Sequence, residues 1–164
     1  MGTYSRSDSS LPPDADAGVA ELFAVERDGM VRLATLLVDS VAVAEDVVQD
    51  AFVAVRARWD VIDEPGAYLR TTVVNGCSAV LRRRAVEDRF RRDIPEPATE
   101  VLPTRLIELR DALGCLSERQ RVVVVLGYFV DISDDEIAQV LEARPSTVRS
   151  LRRRALRILR KELS

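Results

Sequence analysis

The sequence predicts an all-α fold made of two small helical domains joined by a flexible linker, the C-terminal one a helix-turn-helix. Three observations carry this. Apolar residues recur at i, i+3, i+4, i+7 spacing through most of the chain. Two Ser-x-x-Gln/Glu capping boxes and two well-placed prolines mark helix starts. Aromatic residues make up only 5% of a chain that is 47% hydrophobic, too few for a typical β-sandwich.

Residues 1–16 are rich in Ser, Pro and Asp and read as a disordered tail. They carry neither a basic start nor an apolar stretch, so no secretory signal is visible. The longest apolar run, Val122 to Val130, falls far short of the roughly 20 residues a membrane helix needs. The expectation is a soluble, cytoplasmic protein with no membrane partner.

The first domain is read over 17–91. Val19, Leu22, Phe23, Met30, Leu33, Ala34 and Leu37 form one apolar stripe, interrupted by Glu26. Ser40 is the N-cap expected for the next helix, whose stripe is Ala44, Val47, Val48, Ala51, Phe52, Val55 and Trp59. Its opposite side carries Glu45, Asp46, Gln49, Asp50 and Val53. Asp46 and Asp50 are like charges one turn apart, which weakens an isolated helix by a few tenths of a kcal/mol. A basic partner would explain them. Asp60 to Glu64 breaks the pattern, and Pro65 opens a third helix. Thr71-Thr72-Val73-Val74 favours strand locally. The helical spacing of Tyr68, Val73, Cys77, Val80 and Leu81 favours helix. Arg82-Arg83-Arg84 closes it, and with Arg89, Arg91 and Arg92 suits phosphate contact better than capping alone.

Residues 92–104, with Pro95, Pro97 and Pro103, keep no apolar period and read as a linker. The second domain is read over 105–164. Leu106, Leu109, Leu113 and Leu116 line one side of its first helix. Ser117-x-x-Gln120 starts a helix to about Phe129, although Val122 to Val125 alone has strand propensity. Ser133-x-x-Glu136 starts a short helix, and after Glu142-Ala143-Arg144, Pro145 opens the last. Two helices across a short turn, the second rich in Arg, form the helix-turn-helix pattern. At about 100° per residue, Val148, Leu151, Ala155, Ile158 and Leu159 share one side of that helix. Ser146, Arg149, Ser150, Arg153 and Arg157 share the other. Arg binds guanine edges bidentately and Ser reaches bases or phosphate. Arg152, Arg154, Arg160 and Lys161 flank the stripe and are read as phosphate-tracking.

The chain has no His, which excludes His-based acid/base and nucleophile systems and His-ligated zinc. Its two cysteines, Cys77 and Cys115, allow neither a four-cysteine zinc site nor a disulfide framework. Both read as buried small hydrophobes on apolar helix faces, and Trp59 as core. No enzyme activity, metal or cofactor is expected. The net charge of −3 hides blocks: −8 over 1–64, +5 over 65–92, −7 over 93–142 and +7 over 143–164. Two separate basic blocks suggest two nucleic-acid contacts, and the acidic blocks suggest surfaces for something basic.

AEDVVQDAF (Ala44 to Phe52) resembles the region-two core of bacterial sigma factors of the extracytoplasmic-function group in the sigma-70 family. RWDVIDEPGAYLRTTVVN (Arg58 to Asn75) resembles the continuation into the promoter-reading helix. LSERQRVVVVLGYFVDISDDEIAQVL followed by PSTVRSLRRRALRILRKEL resembles region four. The resemblance covers about residues 18 to 164. Arg144 stands where the family often has a capping Ser, Ser146 where it usually has Gly, and Tyr68 replaces a frequent Trp, while Asn75 matches a frequent Asn.

The resemblance implies roles. Asp46, Gln49 and Asp50 would dock on the clamp helices of the β′ subunit of core RNA polymerase. The helix from Pro65 to Arg84, with Tyr68, Asn75, Arg82 and Arg83, would contact the minus-ten element. The loop Asp60 to Gly66, including Asp63, would capture a flipped-out non-template base. The second domain would touch the β flap and read minus-thirty-five DNA through Ser146, Thr147, Arg149, Ser150, Arg153 and Arg157. The family often has an anti-sigma factor as a further partner. Two alternatives compete: a stand-alone helix-turn-helix regulator of duplex DNA, and a polymerase-binding module that starts no transcription. The first leaves AEDVVQDAF without a role, and the intact Arg/Ser stripe argues against the second.

Overall fold

The computed structural model describes residues 13–87 and 104–162. Seven α-helices follow in order among the described residues, with no strand: α1 (Pro13–Val38), α2 (Val41–Ala57), α3 (Pro65–Glu87), α4 (Thr104–Gly114), α5 (Glu118–Phe129), α6 (Asp134–Val140) and α7 (Pro145–Glu162). A 3-10 turn, Trp59–Val61, sits between α2 and α3. The all-α class and the paired α6–α7 helices agree with the sequence.

Boundaries differ from the expected ones at three places. The tail was expected to reach residue 16, but α1 begins at Pro13, and Ala15 is already buried. Proline suits a first helical turn because its missing N–H has no intrahelical partner there. Thr104, expected in the linker, is the first residue of α4. Helix α3 runs past Arg84 to Glu87. The rest of the expected tail and linker, with Arg89, Arg91 and Arg92, lies outside the described residues.

Helices α1, α2 and α3 pack on one another, and α5, α6 and α7 form the second unit with α4 against α7. In the first, Ala44, Val48, Ala51, Phe52 and Val55 meet Leu69, Val73, Val74, Cys77 and Leu81. The strand-favouring pairs fold as helix because both are buried: Val73 and Val74 in α3, and all of Val122 to Val125 in α5. Burial of a valine side chain outweighs a propensity deficit of at most about 0.7 kcal/mol per residue. The stripe on α1 is buried at Met30, Leu33, Ala34 and Leu37 and looser toward its start. There Phe23 stays 44% exposed, its ring 4.9 Å from that of Phe52.

The two units share one continuous set of buried apolar side chains. Helix α1 touches α5 as well as α2 and α3, and Leu33 through Val38 are buried on every side, Thr35 included. Thr35 Oγ1 donates to the Val31 carbonyl at 2.7 Å, so its burial leaves no polar atom stranded. Three non-glycine residues with positive φ follow helix ends: Asp39 (56°), Asp131 (57°) and Glu142 (49°). At the last, the Ala143 N–H donates to the Ala138 carbonyl at 2.8 Å, the closing bond of a left-handed helix cap.

Trp59 is half-buried, and its indole lies directly on Gly18 of α1. A Cβ at Gly18 would run into the six-membered ring. The indole is rigid, so the helix or the ring must move. Gly18→Ala is therefore expected to destabilise the chain by about 1–3 kcal/mol despite the better helix propensity of alanine. A lowered urea midpoint checks this; an unchanged or raised midpoint refutes the packing.

Candidate nucleic-acid interface

The Ser40 hydroxyl accepts the Val43 N–H at 3.3 Å and fixes the first turn of α2. That start points Ala44, Val48, Phe52 and Val55 inward, so Asp46, Gln49, Asp50 and Val53 face solvent. Glu45 is tied to Arg27 at 3.3 Å. Asp46 and Asp50 form no ion pair among the described residues. They line a groove of about 640 Å³ between α2 and α3, together with Val47, Thr72, Gly76 and Arg83.

On another part of α3, Arg58, Val61, Ile62, Asp63, Glu64, Ala67, Tyr68 and Thr71 surround a pocket of about 390 Å³. The 3-10 turn and Pro65 shape it, since Pro65 starts α3 within reach of Asp63. Asp63 and Tyr68 thus meet in one concavity. Asn75 is exposed two helical turns beyond Tyr68 on the same face, about 10 Å along the axis, and does not line the pocket.

The three consecutive arginines diverge. Arg83 opens onto the α2–α3 groove. Arg82 reaches the second unit, donating to the Val140 carbonyl at 3.4 Å with Glu142 at 3.9 Å. Arg84 donates to the carbonyl of Val38, the last residue of α1. Capping does account for one arginine, but it caps a different helix from its own.

In the helix-turn-helix, both capping boxes are closed. Ser133 Oγ accepts the Glu136 N–H at 3.3 Å, and the Glu136 carboxylate accepts the Ser133 N–H at 2.9 Å and its hydroxyl at 2.6 Å. Those bonds, the hydroxyl first, hold the Glu136 carboxyl below its ordinary range. The Arg144 carbonyl accepts the N–H of Thr147 at 2.9 Å and of Val148 at 3.2 Å, and the Arg144 side chain, which carries no acceptor, cannot cap the first turn of α7. Val148 and Ala155 are buried, and Leu151, Ile158 and Leu159 half-buried. Ser146, Thr147, Arg149, Arg153 and Arg157 are exposed and Ser150 is half-buried. Ser146, Arg149, Ser150, Arg153 and Arg157 thus share one outward face, and Thr147 is exposed on its flank, about 100° round from Ser146.

Two readings need correction. Arg152, read as phosphate-tracking, is ion-paired with Asp134 of α6 at 2.5 Å, and only 28% of its side chain is exposed. It sits at the edge of the reading face, where neighbouring helices decide which way a long side chain turns. Cys115, read as buried, is exposed. It lies just past the end of α4, where Leu116 turns inward instead, and its thiol donates to the Ala112 carbonyl at 3.0 Å.

No helix among the described residues is long and apolar enough to cross a membrane. Residues 22–87 match the family described as Sigma-70 region 2, and residues 106–159 match Sigma-70, region 4. The chain is 34% identical over 150 residues to the RNA polymerase sigma-E factor of Streptomyces coelicolor, across 87% of this chain and 84% of that one. Among solved structures it resembles the sigma factor RpoE of Bartonella quintana, crystallised with the anti-sigma factor NepR. That match has a TM-score of 0.62, 22% identity, and covers 89% of this chain and 96% of that chain. It also resembles the extracytoplasmic function sigma factor SigJ of Mycobacterium tuberculosis, with a TM-score of 0.58 and 28% identity. There the match spans 85% of this chain but 52% of the longer relative.

The two thiols differ in chemistry. Burial pushes the Cys77 thiol up from about 9 to about 12, partly offset by the Arg84 charge. A native chain at pH 8 should react with a thiol reagent once, at Cys115, and a second time only on unfolding. Because Cys77 ionises later in the folded state, its contribution to stability is intact below about pH 9. It is lost as pH rises toward 12. Cys77→Ala should flatten that alkaline loss in urea titrations; an equal loss in both proteins refutes the assignment.

Proposed function

The chain belongs to the sigma-70 family of RNA polymerase sigma factors, in its extracytoplasmic-function group, and from that premise we propose how its surfaces divide the work of initiation. It binds core polymerase, recognises the minus-ten and minus-thirty-five promoter elements and promotes DNA opening. The bond-making chemistry is the polymerase's, and the chain acts in the cytoplasm, where that enzyme works.

The α2 face of Asp46, Gln49 and Asp50 is the dock for the basic clamp helices of β′. Its unpaired carboxylates support this, because a cationic partner neutralises a repulsion that the fold leaves standing. The pocket of Asp63 and Tyr68 holds an extruded non-template base, with Tyr68 as stacking surface. Asn75, Arg82 and Arg83 contact the minus-ten region farther along. The outward face of α7 reads the minus-thirty-five element through Ser146, Thr147, Arg149, Ser150, Arg153 and Arg157.

One observation carries this reading above a stand-alone regulator: an exposed acidic face, an open concavity with room for a base and a basic outward face occur on three different helices of one chain. A regulator of duplex DNA uses only the last. Arg82 also faces the second unit, so its contact with DNA requires that it leave Val140 and Glu142. Its 3.9 Å exposed pair with Glu142 is a weak tie.

Asp46→Arg or Asp50→Arg is expected to lower affinity for core polymerase without loss of helical circular dichroism. If both variants compete for core as well as the parent, the α2 dock is wrong. The function as a whole is tested by run-off transcription from genomic promoters with purified core, with and without this chain. On a promoter so found, replacing Asp63-Glu64 by Gly-Gly should leave core binding and upstream duplex recognition intact. Permanganate reactivity of unpaired thymines near the start site should disappear, and a premelted template should restore part of the transcription. A chain that opens no promoter, yet alone binds palindromic duplex tightly, is a regulator instead.

A further inference from the structure

Arg152 is the one arginine of α7 that the fold takes away from solvent by visible means. Its Nη2 lies 2.5 Å from Asp134 Oδ1 in the first turn of α6. Its guanidinium carbon is 5.9 Å from the centre of the Tyr128 ring on α5. Beneath it is Gly127, in the last turn of α5. A Cβ built there would stand 2.7 Å from Nη2, 3.3 Å from Cζ and 3.6 Å from Nε, so the guanidinium occupies the space that a side chain at this position would take. The Arg152 Nε–H and the Asp134 Oδ1 are both buried without an aligned hydrogen bond among the described residues, so the two groups are held as a close charge pair and each is the partner that balances the other's charge. One side chain therefore joins α5 to both helices of the helix-turn-helix.

Gly127 is hard to explain otherwise. A glycine inside a helix is unfavourable relative to alanine, and its φ here is not positive. The missing Cβ makes room for Arg152. The end of an arginine ordinarily swings aside cheaply, but this one is held by Asp134 and cannot move without breaking a half-buried pair. By helical spacing Arg152 lies between Arg149 on the outward face and Leu159 and Val148 on the core side, at the border of the two.

We propose that Arg152 is a positioning residue: seated on Gly127 and paired with Asp134, it fixes the rotation of α7 against α5 and α6. It thereby aims Arg149 and Arg153 at base edges, and contributes nothing to phosphate binding. The DNA-reading half of this statement rests on the sigma-factor reading above; the seat itself does not.

The first test needs no DNA. In the full chain, Gly127→Ala should lower Tm by about 2–4 °C, the size expected for a modest loss in a chain of this length. In an Arg152→Ala background the same substitution should raise Tm, because only the helix preference of alanine then remains. If Gly127→Ala raises Tm in both backgrounds, the seat does not exist. Failure here overturns the clamp whatever the chain's function; absence of promoter opening overturns the function and leaves this result standing.

The second test uses holoenzyme on a promoter found by run-off. Arg152→Ala should reduce the ratio of promoter to random-duplex affinity at least about five-fold, the low end of a lost base contact. Core affinity and the slope of log affinity against log salt should stay as in the parent. Gly127→Ala, the milder change, should move the ratio in the same direction. Arg154→Ala is the control for a phosphate ligand, with the slope reduced by about 0.9 and the ratio kept. If Arg152→Ala behaves like that control, it is a phosphate contact and the proposal falls.

Discussion

The end of α1 is the part on which the rest of the molecule depends. Leu33 to Val38 are buried on all sides, because α2 and α3 cover one flank and α5 the other. Each of its leucine and valine side chains contributes roughly 1.5–3 kcal/mol. That makes these two turns the apolar joint between the units. A helix end so enclosed must satisfy its last carbonyls without water. Arg84 supplies Val38 from α3, and Asp39, in the left-handed region, turns its N–H back to the Thr35 carbonyl at 2.9 Å. The Asp39 carboxylate, brought outward by that turn, meets Arg110 of α4. A single requirement, closing one helix inside the protein, thus uses residues from α3 and from the second unit.

The same logic sorts the basic residues. Arg27, Arg56, Arg82, Arg84, Arg110 and Arg152 all have acceptors within the chain. Arg83, Arg149, Arg153 and Arg157 have none among the described residues. Block charge treats both groups alike, but only the second offers a full positive charge to DNA. Most of the paired group are exposed contacts, which contribute at most about 1 kcal/mol and exchange easily for a stronger anion. Arg152 differs, since its pair with Asp134 is largely covered. Repulsion among the arginines of α7 is thereby reduced at one position while the outward face keeps its charge.

Much of this was legible in the sequence because helices announce their faces and their starts. Ser40, Pro65, Pro145 and the boxes at Ser117 and Ser133 placed five helix beginnings, and the stripe on α2 told which side was free. The strand-like runs at Val73 and Val122 are helical, as expected once the apolar spacing around the first, and the capping box and length of the second, are weighed against propensity. What the sequence did not disclose was the identity of the facing element. A helical wheel gives an angle, and the angle of Arg152 lies on a boundary that Asp134 and Gly127 decide. The solitary Gly127 and the acidic start of α6 were the available signals, but linking them needs the packing of three helices. Cys115 failed for a related reason: extending the stripe one residue past Gly114 put it on a helix that had already ended. The divergence of Arg82, Arg83 and Arg84 follows from the roughly 100° step between neighbours, which sends three adjacent side chains to three surroundings.

The proposed separation of DNA-facing surfaces onto α3 and α7 has an energetic rationale. A single recognition helix makes few base contacts, and extruding a base costs a few kcal/mol of stacking. When two sites belong to one chain, engagement of the first raises the effective concentration of the second, and the combination gains about 10²–10⁴ in affinity without any new contact. At about 1.4 kcal/mol per decade this is roughly 3–6 kcal/mol, the same size as the unstacking cost. The gain exists only if both surfaces reach DNA together. In the conformation described, Arg82 of α3 faces Val140 and Glu142 of the second unit, with Arg110 on Asp39 a short way off. The contacts that close the two units on each other are therefore in competition with double engagement. An exposed pair such as Arg82–Glu142 is weak enough to yield to a polymerase that holds the units apart.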